Sequence, residues 1–416
     1  MSATPEASRA GGAHAAGTPE SQLPPLRLKR GEERRLRAGH LWVFANEVDT
    51  LATPLSAFAA GGMAQVLSAR DEFVGYAYVN PHALICARLL SRSPLQRPDR
   101  ALIVRRLELA LALRERLYSA RCYRWVFGES DGLPGLVLDR YGDVVVGQIA
   151  TAGMEALRAE VESAVQQVLR PQALVWKNDG AARELEQLPR ELLMPIGRQP
   201  EQLQVTEQEL SFAVPLAAAQ KTGWFYDQSA NRVQWRRFLW PGARVLDVCS
   251  YAGAWAITAL AAGAREALCV DTSEAALALA TRNAAANGVA LRTLQADAFD
   301  ALAKLASSGE RFDAVVLDPP AFIKRKKDLP RGRAAYRKLN QLAMALLTPD
   351  ALLVSCSCSY HLPVAELSAL IQAAARHAAR GVQILHSGGQ SPDHPVHPAI
   401  PESSYLKACF CRVLHT

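Results

Sequence analysis

Val245-Leu246-Asp247-Val248-Cys249-Ser250-Tyr251-Ala252-Gly253-Ala254-Trp255 reads as a buried strand that ends on polar and small residues and turns into a helix. The apolar run of ARVLDV predicts the strand, and the alanine-rich run after Gly253 predicts the helix. One glycine stands in the turn, where a pyrophosphate-binding turn uses three to bring backbone close to the phosphates. Tyr251 fills the room that a pyrophosphate would need.

Strand and helix patterns alternate outward from this turn. EALCVD is a strand, SEAALALATRNAAANG a helix closed by Asn287-Gly288, and LRTLQAD, FDAVVLDPP and ALLVSCSCS are further strands. Such alternation predicts a mainly parallel, seven-stranded sheet with helices on both faces, a Rossmann-like α/β domain over 206–416. Asp247, Asp271, Asp297 and Asp318 fall at or near the ends of successive strands, so they line the edge where ligands of such sheets bind. A nucleoside without phosphates suits this turn, and S-adenosylmethionine is the expected cofactor. Gly253 lets backbone approach its amino-acid part, with Asp247 and Tyr251 in the same turn. Asp271 is placed for the ribose hydroxyls, Asp297 for the adenine amine, and Ala298 for a backbone amide. The other reading of the four acids is a domain of this shape with capping aspartates and a different ligand.

The rest of the chain bounds the alternatives. Half of the 416 residues are hydrophobic and 21% are charged, a globular composition with room for several cores. The net charge of +7 suits an acidic partner such as nucleic acid, and equally an ordinary protein surface. Eight cysteines are too sparse for a disulfide scaffold; Cys86 and Cys269, inside apolar runs, read as free buried thiols of a reducing cytoplasm. No apolar run reaches membrane-spanning length, and the Ala/Gly/Ser/Thr/Pro-rich start lacks the pattern of a signal peptide. Residues 1–23 are expected to be a disordered tail. Short strands between Gly and Pro signals (LWVFANEV, GGMAQVLSA, FVGYAYVN, ALICARLL) predict a β-rich domain over 24–97. A leucine-rich helix at Ala101–Tyr118, a hairpin about Tyr141-Gly142-Asp143, a helix near Met154–Leu169 and the strand ALVWKND predict a small α+β domain over 98–205. A second hairpin, LQVTEQELSFAVPL, follows.

Two features stand where a transferred methyl group must go. Asp318-Pro319-Pro320-Ala321-Phe322 is a rigid turn that can hold a carboxylate and a carbonyl against a flat base. Alone it fits transfer to an exocyclic amine of a purine. Ser355-Cys356-Ser357-Cys358-Ser359 ends the next strand. A thiolate there can add to C6 of a cytosine and make C5 nucleophilic. Cys356 and Cys358 lie two apart and share a strand face, so periodicity does not choose between them. Cys409-x-Cys411 does not have the spacing of a zinc knuckle, and no metal is expected. Lys324, Arg325, Lys326 and Lys327 follow the proline turn and are expected to contact RNA phosphates. A third reading is a non-catalytic RNA-binding assembly factor, which the intact cofactor turn argues against.

Four segments carry a resemblance: GHLWVFANEV, QKTGWFYDQSANR at Gln220–Arg232, the DPPAF/SCS pair, and SPDHPVHPAIPESSYLK at Ser391–Lys407. Together they resemble the bacterial class I methyltransferases with an N-terminal PUA domain that make 5-methylcytosine in 23S ribosomal RNA. The resemblance spans about Leu26 to the end. It implies that the β-rich domain is an RNA-binding PUA domain, that Cys358 is the nucleophile, and that Phe225, Asp227 and Gln228 approach the cofactor. It implies 23S ribosomal RNA as partner and leaves a homodimer open. The pattern often has Thr-Gly where Ala252-Gly253 stands. Like the family, the chain has a proline, Pro320, where many RNA cytosine-C5 methyltransferases carry a second cysteine. The group that removes the C5 proton is thereby left unassigned.

Overall fold

The computed structural model describes residues 23–216 and 221–415. Of the expected tail at 1–23, residues 1–22 lie outside the described residues, as does Gln220.

The first unit is a five-stranded sheet in the spatial order Pro25–Arg27, Gly62–Leu67, Phe73–Val79, Ile85–Ser91, Trp42–Phe44. Alternate residues such as Val66, Ala77 and Leu89 point into one core, which also takes in Ile400 from far along the chain. The second unit is a five-stranded sheet in the order Glu191–Ile196, Ala173–Asn178, Val144–Ile149, Leu136–Tyr141, Cys122–Phe127. Helices Arg100–Leu117 and Arg158–Val168 pack on it around Trp125 and Trp176, both wholly buried. The Asp99 carboxylate caps the first of these helices by accepting from the Leu102 amide at 2.8 Å.

Two local expectations change. The helix read at Met154–Leu169 is two pieces, Ala152–Ala156 and Arg158–Val168. The chain turns at Leu157 because the pieces serve different surfaces: Gly153 lies against the Tyr78 ring of the first unit, whereas Val161, Ala164 and Val165 fill the second core. The edge strand Glu191–Ile196 was not legible, since Pro195 and a register shift between Leu193 and Ile196 break its pattern. The hairpin Gln202–Glu207/Leu210–Pro215 forms a two-stranded sheet of its own, and its turn puts Gln208 and Glu209 in left-handed backbone. Its apolar face joins Tyr141 of the second unit to Ala252 and Leu279 of the third, so residue 206 falls inside a strand that bridges both.

The third unit carries strands β1 Arg244–Val248, β2 Glu266–Asp271, β3 Arg292–Gln295, β4 Phe312–Leu317, β5 Leu347–Ser357, β6 Arg380–Gly389 and β7 Lys407–His415. Their order is β3-β2-β1-β4-β5-β7-β6. The first five run parallel, while β7 is antiparallel to both β5 and β6. Helices α1 Ser229–Phe238, α2 Ala254–Ala261, α3 Glu274–Ala286, α4 Ala298–Ser307, α5 Leu329–Ala345 and α6 Val364–His377 complete it. Both faces of the sheet are buried: Leu246, Val315 and Leu353 join one core, and Val245, Val316 and Val354 the other. The chain leaves β1 toward β2 and returns through β4 on the other side, so the switch point lies between the ends of β1 and β4. Among the described residues no helix is long and apolar enough to cross a membrane.

Candidate active site

The turn after β1 is built from alternating left-handed residues: Cys249 (φ 65°), Tyr251 (φ 46°) and Gly253 (φ 78°). Gly253 is required twice over. Its φ disfavours any side chain, and a Cβ would meet the Cβ of Ala280 at 2.9 Å. The turn is tied to β2, with the Cys249 and Ser250 amides donating to Val270 O and the Tyr251 amide donating to the Asp271 carboxylate at 3.0 Å. The other Asp271 oxygen accepts from Ser273 N at 2.9 Å. Asp271 thus stands at the rim with its orientation set from both sides. Asp297 stands exposed beyond β3 and caps α4 through the Phe299 amide at 2.8 Å, beside the half-buried Ala298.

Asp247 lies beneath the turn. It is wholly buried, and one oxygen accepts from the Ala256 amide at 3.1 Å. Burial pushes its carboxyl up to about 8, with Asp318 and Asp271 adding to the rise against the Ala256 hydrogen bond. The folded protein therefore holds a proton that the unfolded chain releases near pH 4, and stability falls as pH rises from there to about 8. Each pH unit in that window is worth at most roughly 1.4 kcal/mol. Asp247→Asn removes this slope. In urea titrations the midpoint of the variant should gain on the unsubstituted protein from pH 5 to pH 8 and stay level above. A gap independent of pH would contradict the assignment.

Asp318 follows β4. Its two oxygens accept from Gln228 Nε2 at 2.9 Å and Trp255 Nε1 at 3.1 Å. Burial pushes it up to about 6, with Asp227 adding and the Trp255 and Gln228 hydrogen bonds opposing. Asp227 and Gln228 arrive on the turn that precedes α1, which the buried Arg232 anchors by donating to Phe225 O at 3.0 Å while pairing with Glu207 at 2.5 Å. Phe225 meets the Tyr251 ring edge-on at 5.4 Å, and the Lys221 ammonium sits 5.0 Å from the Phe225 ring centre. Asp227 is buried. One of its oxygens accepts from the Tyr405 hydroxyl at 2.6 Å. Burial works against its charge, yet His394, Lys221, the Tyr405 hydrogen bond and Arg124 hold it below the usual carboxylate range.

The two cysteines of the SCSCS segment part company. Cys356 is inside β5 and wholly buried among Trp255, Val354 and Phe410. Strand β5 ends at Ser357, so Cys358 lies just past it and is partly exposed, its Sγ 4.0 Å from Pro319 O. Its thiol is pushed up by burial and by Asp318. The flanking serines fix it. Ser357 donates to the Tyr336 hydroxyl at 2.9 Å, and Ser359 Oγ contacts the same hydroxyl at 2.9 Å and accepts from the Ile323 amide at 3.1 Å. Lys324, Arg325, Lys326 and Lys327 are all exposed immediately after Ile323.

One sheet edge therefore gathers Asp247, Tyr251, Gly253, Asp271, Phe225, Gln228, Asp318, Asp227 and Cys358, with Asp297 and Ala298 at its far end. Three buried polar atoms there have no partner among the described residues: Asp227 Oδ1, Asp247 Oδ1 and Ser250 Oγ. Sequence reasoning missed Trp255, Tyr336, Tyr405 and Lys407. Tyr405 and Lys407 belong to a quoted motif, but their partners lie across the fold. His394, in the same motif, is buried, paired with Asp393 at 2.8 Å, with its ring 5.1 Å from that of Phe127.

Residues 26–92 match the model of a PUA-like domain, and residues 192–412 match that of an S-adenosylmethionine-dependent methyltransferase. The chain is 34% identical to the ribosomal RNA large subunit methyltransferase I of Klebsiella pneumoniae, over 95% of this chain and 100% of that one. Identity to the protein of the same name from Erwinia tasmaniensis is 35%, over 94% and 99%. In fold it is similar to a SAM-dependent methyltransferase from Streptococcus mutans (TM-score 0.78, 20% identity, 94% of this chain and 100% of that one). A methyltransferase solved in complex with SAH is similar too (TM-score 0.80, 21% identity, the same coverage). The chain belongs to the S-adenosylmethionine-dependent methyltransferase family, in the group of the ribosomal RNA large subunit methyltransferases I.

Proposed function

We propose that this protein methylates C5 of a cytosine in 23S ribosomal RNA of the large subunit, with Cys358 as nucleophile. The observation that carries the reading is the position of Cys358: a partly exposed thiol at the end of β5, beside the Asp318 turn, while Cys356 is sealed in the core. The names of the relatives support the RNA class, and the chemistry of this edge supports the base.

The residues present suit the cofactor. Asp247 Oδ1 and Ser250 Oγ, unpartnered at the glycine turn, would hold its amino-acid tail, Asp271 its ribose hydroxyls, and Asp297 with Ala298 its adenine. Phe225 and Tyr251 supply an apolar wall, with Gln228 behind them. When bound, S-adenosylmethionine supplies the electrophilic methyl group. The Cys358 thiolate adds to C6, the C5–C6 double bond opens, and C5 becomes the nucleophile. Once C5 carries the methyl group, loss of its proton restores the double bond and expels the thiolate. Asp318, held by Trp255 and Gln228, accepts from the cytosine amine and orients the ring. Lys324, Arg325, Lys326 and Lys327 take backbone phosphates next to the target, which must be unstacked to reach the thiol. The PUA-like domain holds RNA farther off.

Nucleoside mass spectrometry tests this. Large-subunit RNA from a strain lacking the gene, incubated with protein and S-adenosylmethionine, should gain 5-methylcytidine. A methylated guanosine or adenosine in its place would overturn the base assignment.

A further inference from the structure

Lys407 opens β7, and Ala408-Cys409-Phe410-Cys411 after it are buried. The lysine is 9% exposed. Its backbone pairs with Ser357, and its ammonium crosses to donate to Ser359 O at 2.6 Å and to Tyr405 O at 2.8 Å. The residue therefore brackets Cys358, its backbone pairing with Ser357 before it and its ammonium reaching Ser359 after it. Among the described residues no carboxylate lies within ion-pair distance of it, and the titratable group whose field it feels is Cys358.

A buried ammonium without a counter-ion is costly, and two carbonyls could be satisfied by a neutral donor. The charge needs another reason. Two of the three N–H positions are committed to carbonyls, so one tetrahedral position remains. It holds a third proton in the ammonium and a lone pair in the amine. We propose that Lys407 is the positioning residue that ionises Cys358 and then holds the thiolate. The S–H bond breaks with its electron pair left on sulfur, and the proton forms the third N–H bond, giving a thiolate–ammonium pair with no change in net charge. When the thiolate is expelled from the methylated base, it takes that proton back. Burial brings the amine down to about 8, so a usable fraction of the proton-accepting form exists near neutrality.

Other charged groups face the thiol. Asp318 after β4 and Asp227 before α1 oppose its ionisation, and Lys221 favours it. Tyr336 of α5 lies within its field. Lys221 is exposed with its charge over Phe225, whereas Lys407 is buried.

The inference rests on Cys358 being the nucleophile, but it is testable without RNA or S-adenosylmethionine. Iodoacetamide labelling of Cys358 in the full chain, followed by peptide mass spectrometry from pH 6 to 10, reports its thiolate. Lys407→Met should move the labelling midpoint up by about one unit and slow labelling at pH 8 about ten-fold. Lys407→Arg, which keeps the charge, should leave the midpoint at or below that of the unsubstituted protein. An unmoved midpoint in a folded Lys407→Met protein overturns the proposal. Should that variant not fold, the reciprocal measurement decides: in Cys358→Ala, the NMR titration of the Lys407 ε-carbon should move to lower pH, and an unmoved titration overturns it. Neither assay involves methyl transfer, so failure of the cytosine assignment, read by nucleoside analysis, is a separate result.

Discussion

Cys358→Ala should reduce kcat/KM for methyl transfer by on the order of 10³-fold or more, with the protein still folded and still binding S-adenosylmethionine. C5 of cytosine is too weak a nucleophile to attack a methyl group unless C6 first gains electrons, and no neighbouring side chain replaces the thiol. The other thiol of the segment, Cys356, is wholly buried and is pushed far up by burial. Cys356→Ala is the informative control. It should keep activity within a few-fold and cost on the order of 1 kcal/mol of stability for the small cavity. Initial rates with tritiated cofactor separate the two variants. Full activity in Cys358→Ala, or equal loss in both, would sink the assignment of the nucleophile.

The second large effect is on stability. Arg114 is wholly buried and all five of its donors are used. Nη1 donates to Asp131 Oδ1 at 2.6 Å and to Ala110 O at 3.4 Å. Nη2 donates to Asp131 Oδ2 at 2.8 Å and to Asp393 O at 2.7 Å, and Nε donates to Arg124 O at 3.0 Å. The residue ties the long helix of the second unit to the loop that carries Ser391 and Tyr405. Ser391 in turn donates from N and Oγ to Asp227 O, at 2.9 and 3.0 Å. Arg114→Met keeps the volume but leaves the Asp131 carboxylate, 8% exposed, without its cation. Breaking a buried pair this way costs about 3–5 kcal/mol, most of it from the stranded charge. Urea unfolding should show that loss, and Arg114→Met with Asp131→Asn should recover part of it because the charge is gone. A loss under about 1 kcal/mol, or no recovery in the double variant, would mean that the pair is not what holds this junction.

Much of this architecture was legible one segment at a time. The alternation that begins at Val245, the acids at strand ends and the single-glycine turn belong to short stretches, and side-chain period and turn chemistry act over a few residues. The break at Leu157 and the edge strand at Glu191–Ile196 were not legible, because the first depends on which surface each half covers and the second carries a proline.

The site divides along the same line. The class of cofactor and the two places where a reacting group could stand, Asp318 and the SCSCS segment, follow from local sequence. Period two put Cys356 and Cys358 on one face and stopped there. The end of β5 at Ser357 seals one thiol and opens the other, and that depends on where β7 and α5 pack. Asp247 and Asp271 look alike as strand-end acids, yet one lies under the turn holding a proton and the other stands at the rim. Asp227 meets Tyr405, and Lys407 meets Ser359 beside Cys358, from distant parts of the chain. Burial and the field of neighbouring charges are properties of the assembled fold, and they decide what an acid, a thiol or a lysine can do.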